Sequence, residues 1–177
     1  MIDEHPLHQT VWNKLYRSEM VRDILFPYGK YHEDEFWTYQ VFARAEKVAY
    51  VNIPLYYYFQ RQDSIMGQAF SLKRLDALEG RFQRYLFMKQ HFEKLELLAK
   101  KSVLFLSLYY LQKSFKKSDV EIQKKCIVFV RTMISKLEFS LVEIRSCSFK
   151  EWIWISLAKK NVIATAKIRN ILRIGVY

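Results

Sequence analysis

The sequence predicts an α+β protein that is mostly helical, with short strands in its first 70 residues and a basic helical bundle after them. Half of the 177 residues are apolar (51%), enough to bury a core. Only four glycines and three prolines occur, which favours long helices over a turn-rich sandwich or barrel. Residues 1–70 carry 7 basic and 9 acidic side chains, whereas residues 71–177 carry 22 and 9. This asymmetry divides the chain near residue 70 into two parts with different roles.

The start of the first part predicts short elements separated by a turn. Residues 12–25 have the apolar spacing of a short helix, or of a strand that runs into a helix. Pro27 and Gly29 then interrupt the chain, because proline lacks an amide donor and glycine permits a left-handed turn. The acidic run at 33–35 leads into a predicted helix over 36–44, since carboxylates stabilise a helix N-terminus.

The strands of the α+β prediction lie between this helix and residue 60. Residues 48–53 are rich in β-branched and aromatic side chains and predict a strand that Pro54 bends or ends. Residues 55–59 are almost entirely aromatic and predict a continuation of the extended chain. The polar residues 60–67 predict a loop.

The second part predicts helices throughout, because apolar residues recur there at helical spacing with Lys and Arg between them. Asp119 or Ser118 is the candidate N-cap of the third helix. The predicted helices cover 71–99, 102–115, 120–137 and 149–172.

The cellular compartment is predicted from cysteines and apolar runs. Cys126 and Cys147 are too few for a disulfide framework, which favours a reducing compartment. Residues 1–10 are polar and acidic and contain no apolar signal region. The best apolar run, 103–111, has nine residues, whereas about 18 are needed to cross a bilayer. We therefore expect a cytoplasmic chain, either free or peripheral on the inner face of the cell membrane.

Glu33 and Asp34 are the first candidates for chemistry. Two carboxylates that open a helix after a glycine turn could supply a general base, which must be ionised and close to the proton it accepts. Taken alone, this pair is more often a solvated first turn that complements the helix dipole.

Two other segments offer groups that could bind phosphate. Arg61 and Ser64 lie in the polar loop, where an arginine beside a hydroxyl could hold a diphosphate. Lys14, beside Trp12, could balance phosphate charge. Both segments also have a purely structural interpretation. The loop would be an ordinary surface turn, and Trp12 and Lys14 would be a packed Trp and a surface Lys. Residues 56–58, three tyrosines, could line a cleft or be half-buried strand packing.

Together, these segments form a pattern that resembles the second half of a family 2 glycosyltransferase, of the bacterial type that builds capsular, exopolysaccharide or cell-wall glycans. The order and the gaps both match over about residues 10–80. The matching segments are Val11-Trp12-Asn13-Lys14-Leu15-Tyr16-Arg17, then Phe26-Pro27-x-Gly29-Lys30-x-x-Glu33-Asp34-Glu35-Phe36, then Asn52-Ile53-Pro54-Leu55-Tyr56-Tyr57-Tyr58, then Gln60-Arg61-x-x-Ser64-Ile65-Met66.

The resemblance implies the acceptor half of a GT-A fold, covering residues 1–70, with 71–177 as a helical C-terminal region. It implies that Asp34 deprotonates the acceptor hydroxyl in an inverting displacement and that Glu33 positions the acceptor or Asp34. It also implies that the loop with Arg61 and Ser64 lies near the donor diphosphate. The loop departs from the family pattern, which often has Arg directly after the tyrosines, where this chain has Phe59, and Pro-Gly where this chain has Gln62-Asp63. The diphosphate role is therefore the weaker of these implications.

The nucleotide-binding half of such enzymes has no counterpart in these 177 residues. That half ends in an Asp-x-Asp-type motif, and no Asp-x-Asp occurs here. In the intact family a divalent cation, Mg or Mn, bridges the nucleotide sugar; the four histidines show no metal-ligand pattern either. We therefore expect a C-terminal piece of a truncated or split glycosyltransferase that lacks a metal site and binds nucleotide sugar weakly or not at all.

The basic second part suggests partners of other classes. Its balance of +13, with Trp, Phe and Leu between the charges, suits a helical surface that rests on an anionic membrane. A bundle with a basic, solvated exterior explains the composition equally well. Nucleic acid is a poorer fit, because no recognition motif occurs and the cations are spread around several helices. A non-catalytic role, as a module that docks on a partner enzyme, is the remaining alternative.

Overall fold

The computed structural model of the chain describes residues 9–59 and 70–175, and all regular structure in these ranges is helical. A single turn of 3-10 helix, Leu72–Arg74, precedes the third α-helix. The α-helices are α1 (Ser18–Val21), α2 (Asp34–Arg44), α3 (Leu75–His91), α4 (Glu93–Lys117), α5 (Val120–Ile134), α6 (Leu141–Ser146) and α7 (Phe149–Ile171).

The α+β prediction is therefore wrong: the described residues are all-α and contain no strand. The predicted strand at 48–53 and its aromatic continuation at 55–59 form irregular chain. The physical reason is that a strand needs a neighbour to take its backbone hydrogen bonds. The backbone of residues 46–59 makes no hydrogen bond with another backbone group in the described part of the chain. The short strands expected of a GT-A acceptor half are likewise absent from these ranges.

The helix α4 forms the centre of the second part and packs against α3, α5 and α7. Its buried residues occupy more than one helical face, as the burial of the consecutive Tyr110, Leu111 and Gln112 shows, because helices pack against it on several sides. Residues of this core that are completely inaccessible to solvent are Leu78, Val103, Leu108, Leu111, Cys126, Val130, Ile155 and Ala166.

The helix predicted over 71–99 is divided in the structure. Phe92 has φ −144° and ψ 67° and ends α3, and α4 begins at the next residue. The helix predicted over 102–115 is then the continuation of α4. Apolar periodicity is uninterrupted across this break, because both helices face the same core, so the pattern alone joins them.

The predicted helix over 120–137 is confirmed, although it ends three residues earlier. The predicted helix over 149–172 ends one residue earlier and is kinked at Asn161, whose φ of −157° and ψ of 100° are not helical. Asp119 caps α5 as expected, since its side chain accepts a hydrogen bond from the amide of Ile122 at 2.8 Å. The short helix α6 was not predicted, although it has a capping box in which Ser140 and Glu143 satisfy each other's amides.

The helix α2 joins the first part of the chain to the bundle. It begins at the acidic run as predicted, and its Tyr39 is part of the main core. Trp37 instead packs in a small second core with Ile24, and its indole Nε1 donates to the Ile24 carbonyl at 2.8 Å. Gly80 allows α3 to approach α2 closely: a Cβ there would lie 2.8 Å from Cβ of Glu35.

Candidate active site

The turn before α2 carries an unusual backbone. Gly29 has φ +73°, which glycine adopts freely. His32 has φ +56°, a conformation that is uncommon for a residue with a side chain and that concentrates at functional sites. This left-handed residue immediately precedes Glu33 and Asp34, so it sets the direction in which the two carboxylates leave the turn.

Asp34 is the partly buried member of the carboxylate pair. Its Oδ1 accepts a hydrogen bond from the amide of Glu35 at 2.9 Å. Burial is the largest cause that raises the pKa of Asp34 above its ordinary value, and the charges of Glu35 and Glu33 add to it. Glu33 itself is exposed. The two carboxylates therefore differ in exposure, and burial gives Asp34 a stronger proton affinity than an ordinary aspartate has, as suits a general base.

Glu35, which sequence reasoning did not single out, is the most buried of the three acids and has only 6% of its surface exposed. Its Oε1 accepts from Nε of Arg81 at 2.9 Å, and Nη1 of Arg84 lies 3.4 Å from its Oε2. The side-chain Nε2 of Gln9 donates to Oε2 of the same carboxylate at 3.0 Å. This cluster holds the first turn of α2 against α3. In the sequence, the only indication of the cluster is the third carboxylate of the acidic run at 33–35.

An open cleft of about 840 Å³ lies between residues 12–20 and 41–58. One wall is aromatic: the ring of Trp12 stacks on Tyr58, with centroids 5.0 Å apart and planes 2° apart, and contacts Tyr56 at 4.4 Å. Tyr57 points away and is 87% exposed. The two tyrosines that share Trp12 are two residues apart, which is the spacing of side chains on one side of extended chain.

Lys14 provides the cleft with a cation. Its Nζ donates to the Thr10 carbonyl at 2.5 Å and to Oδ1 of Asn13 at 2.7 Å. Burial lowers the pKa of Lys14, and the negative charge of Asp34 acts in the opposite direction. Asp34 is thus close enough to influence this cation electrostatically, although it does not itself line the cleft.

The structure places two of the six residues that the sequence predicted for the site, Trp12 and Lys14, in the lining of the cleft. Asp34 lies outside this lining, although its charge acts on Lys14. Glu33 is directed to solvent. Arg61 and Ser64 lie outside the described residues. Tyr56 and Tyr58 belong to the cleft wall. Of the two interpretations of the tyrosine run, a cleft lining and half-buried strand packing, their position fits the first.

Neither a metal site nor a membrane span is found in the described ranges. No group of three or more His, Cys, Asp or Glu side chains in residues 9–59 and 70–175 is arranged to hold a metal ion. None of the helices described here has both the length and the apolarity to cross a membrane.

Comparisons with known proteins leave the family open. No protein-family model matches the chain, and no curated protein and no solved structure is significantly similar to it.

Proposed function

We propose that this chain forms the acceptor side of a glycosyltransferase that moves a sugar from a nucleotide-sugar donor to a glycan or lipid-linked acceptor. The observation that carries the proposal is Asp34: a partly buried carboxylate with a raised pKa, held at a helix start behind a left-handed residue. It lies within electrostatic reach of Lys14, which lines an aromatic cleft. The resemblance in residues 10–80 assigns the base role to the same residue.

The proposed reaction is a single in-line displacement. The acceptor hydroxyl oxygen forms a bond to the anomeric carbon of the donor, and the bond from that carbon to the diphosphate oxygen breaks with its electron pair. The hydroxyl proton passes to the carboxylate of Asp34. Such a step requires the base within hydrogen-bond reach of the hydroxyl. A carboxylate that burial makes more basic accepts this proton more readily at neutral pH.

The aromatic wall of the cleft is the proposed platform for the acceptor. Sugar rings have apolar C–H faces as well as hydroxyls, and small-molecule sites combine aromatic walls with a few polar groups. Trp12 keeps 46% of its surface exposed beside Tyr56 and Tyr58, so part of its ring is open to a ligand. Lys14 and Asn13, at the same wall, supply polar contacts.

Glycan binding tests this proposal directly. The purified chain is applied to a printed array of bacterial surface oligosaccharides, and we expect retention that Trp12→Ala reduces at least about tenfold. Trp152→Ala is the matched control, since Trp152 is similarly exposed (43%) but lies on α7. The proposal fails if no glycan is retained, or if the two alanine variants lose binding equally.

Calorimetry with UDP-sugars and Mn²⁺ tests the assignment to the acceptor side. We expect no micromolar binding, because no segment of the sequence matches a nucleotide-binding half and the described residues offer no ligand set for the cation. Micromolar binding by the 177-residue chain would show that it holds the donor by itself and would contradict this assignment.

A further inference from the structure

The first turns of α6 and α7 expose four large apolar side chains within twelve residues. Leu141 is 72% exposed, Val142 77%, Phe149 73% and Trp152 43%. Phe149 and Trp152 stack on each other, with ring centroids 5.9 Å apart and planes 18° apart. Single exposed apolar residues are ordinary on protein surfaces, but a group that includes two stacked aromatic rings indicates an interaction site. We call residues 140–152 the α6–α7 surface.

Two ion pairs hold the α6–α7 surface to one turn of α4. Glu143, in the capping box of α6, accepts from Nζ of Lys100 at 2.7 Å, and Glu151, in the capping box of α7, accepts from Nζ of Lys101 at 2.7 Å. The two lysines are adjacent in sequence and largely buried. Both helix starts are therefore anchored at neighbouring points, and the exposed apolar side chains are presented side by side on a rigid base.

The same ion pairs give the surface its charge. Within residues 140–152, all of which the structure describes, Glu143 pairs with Lys100, which is shared with Glu96 at 3.2 Å, and Glu151 pairs with Lys101. The exposed charged side chains in this range are Arg145 and Lys150. Nearby, Lys136 and Glu138 are also exposed and cancel each other. The surface therefore combines apolar and aromatic groups with two exposed cations, while its two acids are engaged in ion pairs.

We infer that the α6–α7 surface docks on an anionic lipid bilayer. Aromatic side chains favour the boundary between headgroups and acyl chains, and Lys and Arg near that boundary are attracted by anionic headgroups. The balance of +13 over residues 71–177 adds a long-range attraction of the same sign. A nucleic acid is the poorer occupant, because its affinity depends on phosphate contacts and the apolar groups outnumber the two exposed cations here. This inference does not depend on the proposed sugar transfer.

Vesicle co-sedimentation tests the inference. The full chain is mixed with vesicles of phosphatidylcholine containing phosphatidylglycerol, and with vesicles of phosphatidylcholine alone, at low and at physiological salt. We expect binding to the anionic vesicles that weakens as salt rises. The double variant Arg145→Glu with Lys150→Glu should reduce the partition coefficient at least about tenfold, and Phe149→Ser with Trp152→Ser should reduce it by a similar factor.

Matched variants on α5 separate this surface from the general basicity of the chain. Lys124→Glu with Lys125→Glu makes the same change in net charge at exposed positions, and Val120→Ser with Val128→Ser removes exposed apolar side chains. Both should bind nearly as well as the unmodified chain. The inference is overturned if the unmodified chain does not bind anionic vesicles. It is equally overturned if the α5 variants lose as much binding as the α6–α7 variants, or if the α6–α7 variants keep it. Circular dichroism confirms that each variant is folded.

Discussion

At the scale of single residues, Asp34 and Glu33 show how one turn gives two adjacent carboxylates different properties. The left-handed His32 places Asp34 against the body of the molecule and leaves Glu33 in solvent. Desolvation then makes the charged form of Asp34 less favourable, and two neighbouring acids reinforce this. A carboxylate in this position lowers the stability of the folded state at neutral pH. Such local destabilisation is common at functional sites.

We therefore expect Asp34→Asn to stabilise the chain at pH 7. Because the pKa of Asp34 is raised in the fold, the native state of the unmodified chain loses stability as pH rises from about 3.8 through the folded pKa. The asparagine variant lacks this loss, so its advantage should appear at neutral pH and vanish in acid. Urea unfolding at several pH values measures it, with Glu33→Gln as the exposed control. Equal stability of Asp34→Asn and the unmodified chain at pH 7 would contradict the raised pKa.

Glu35 is a buried ionic residue, and its replacement should strongly lower the free energy of unfolding. Its carboxylate faces both Arg81 and Arg84, and Arg84 is 1% exposed. Glu35→Gln keeps the shape but leaves two guanidinium groups without their carboxylate, so we expect a loss of about 3–5 kcal/mol in the free energy of unfolding. Glu121→Gln, which breaks the exposed pair with Lys125, should cost about 0.3 kcal/mol. Similar losses in the two variants, by urea unfolding, would show that the cluster does not stabilise the fold.

At the scale of elements, the contact of α2 with α3 depends on Gly80. Alanine has the higher helix propensity, by about 1 kcal/mol. A Cβ at position 80, however, would lie 2.8 Å from Cβ of Glu35 and 3.1 Å from the ring of Phe36. Glu35 Cβ is attached directly to the backbone of α2, so relief requires the two helices to separate.

Gly80→Ala should consequently destabilise the chain in spite of its better propensity. Overpacking of this kind costs about 1–3 kcal/mol, and the shift of α2 should also disturb the ion pairs of Glu35. Thermal unfolding checks the sign, with Gln83→Ala on the exposed side of α3 as the control, for which a change within about 0.5 kcal/mol is expected. A higher melting temperature for Gly80→Ala than for the unmodified chain would mean that the helices are not held this closely.

At the scale of the whole molecule, the sequence predicted those helices whose position depends on neighbouring residues in the chain. The helix α2 follows from its acidic start, and α5 from apolar spacing with the cap at Asp119. The break at Phe92 and the cluster of Glu35 with Arg81, 46 residues away, depend on tertiary packing that no local pattern contains. The strand predicted at 48–53 has the right composition, but composition does not supply the neighbouring strand that would pair with it.

The uncovered segment 48–59 should make the isolated chain associate at high concentration. It contains no charged residue, and Leu55, Tyr57 and Phe59 are 78%, 87% and 68% exposed. Unpaired, apolar chain of high β-propensity pairs with similar segments of other molecules. Light scattering against concentration should show association that Leu55→Lys with Tyr57→Lys reduces strongly. Val120→Lys with Val128→Lys, on α5, adds the same charge and should reduce it less; equal effects would assign the association elsewhere.

The exposed segment 48–59 also determines which buffers keep the protein monodisperse. The charge of +11 disperses the molecules at low ionic strength, but added salt shortens the range of that repulsion while leaving the pairing tendency of residues 48–59 intact. The concentration at which the protein begins to associate is thus set by residues 48–59 rather than by the well-packed bundle. Monodisperse samples are therefore expected in dilute, low-salt buffers.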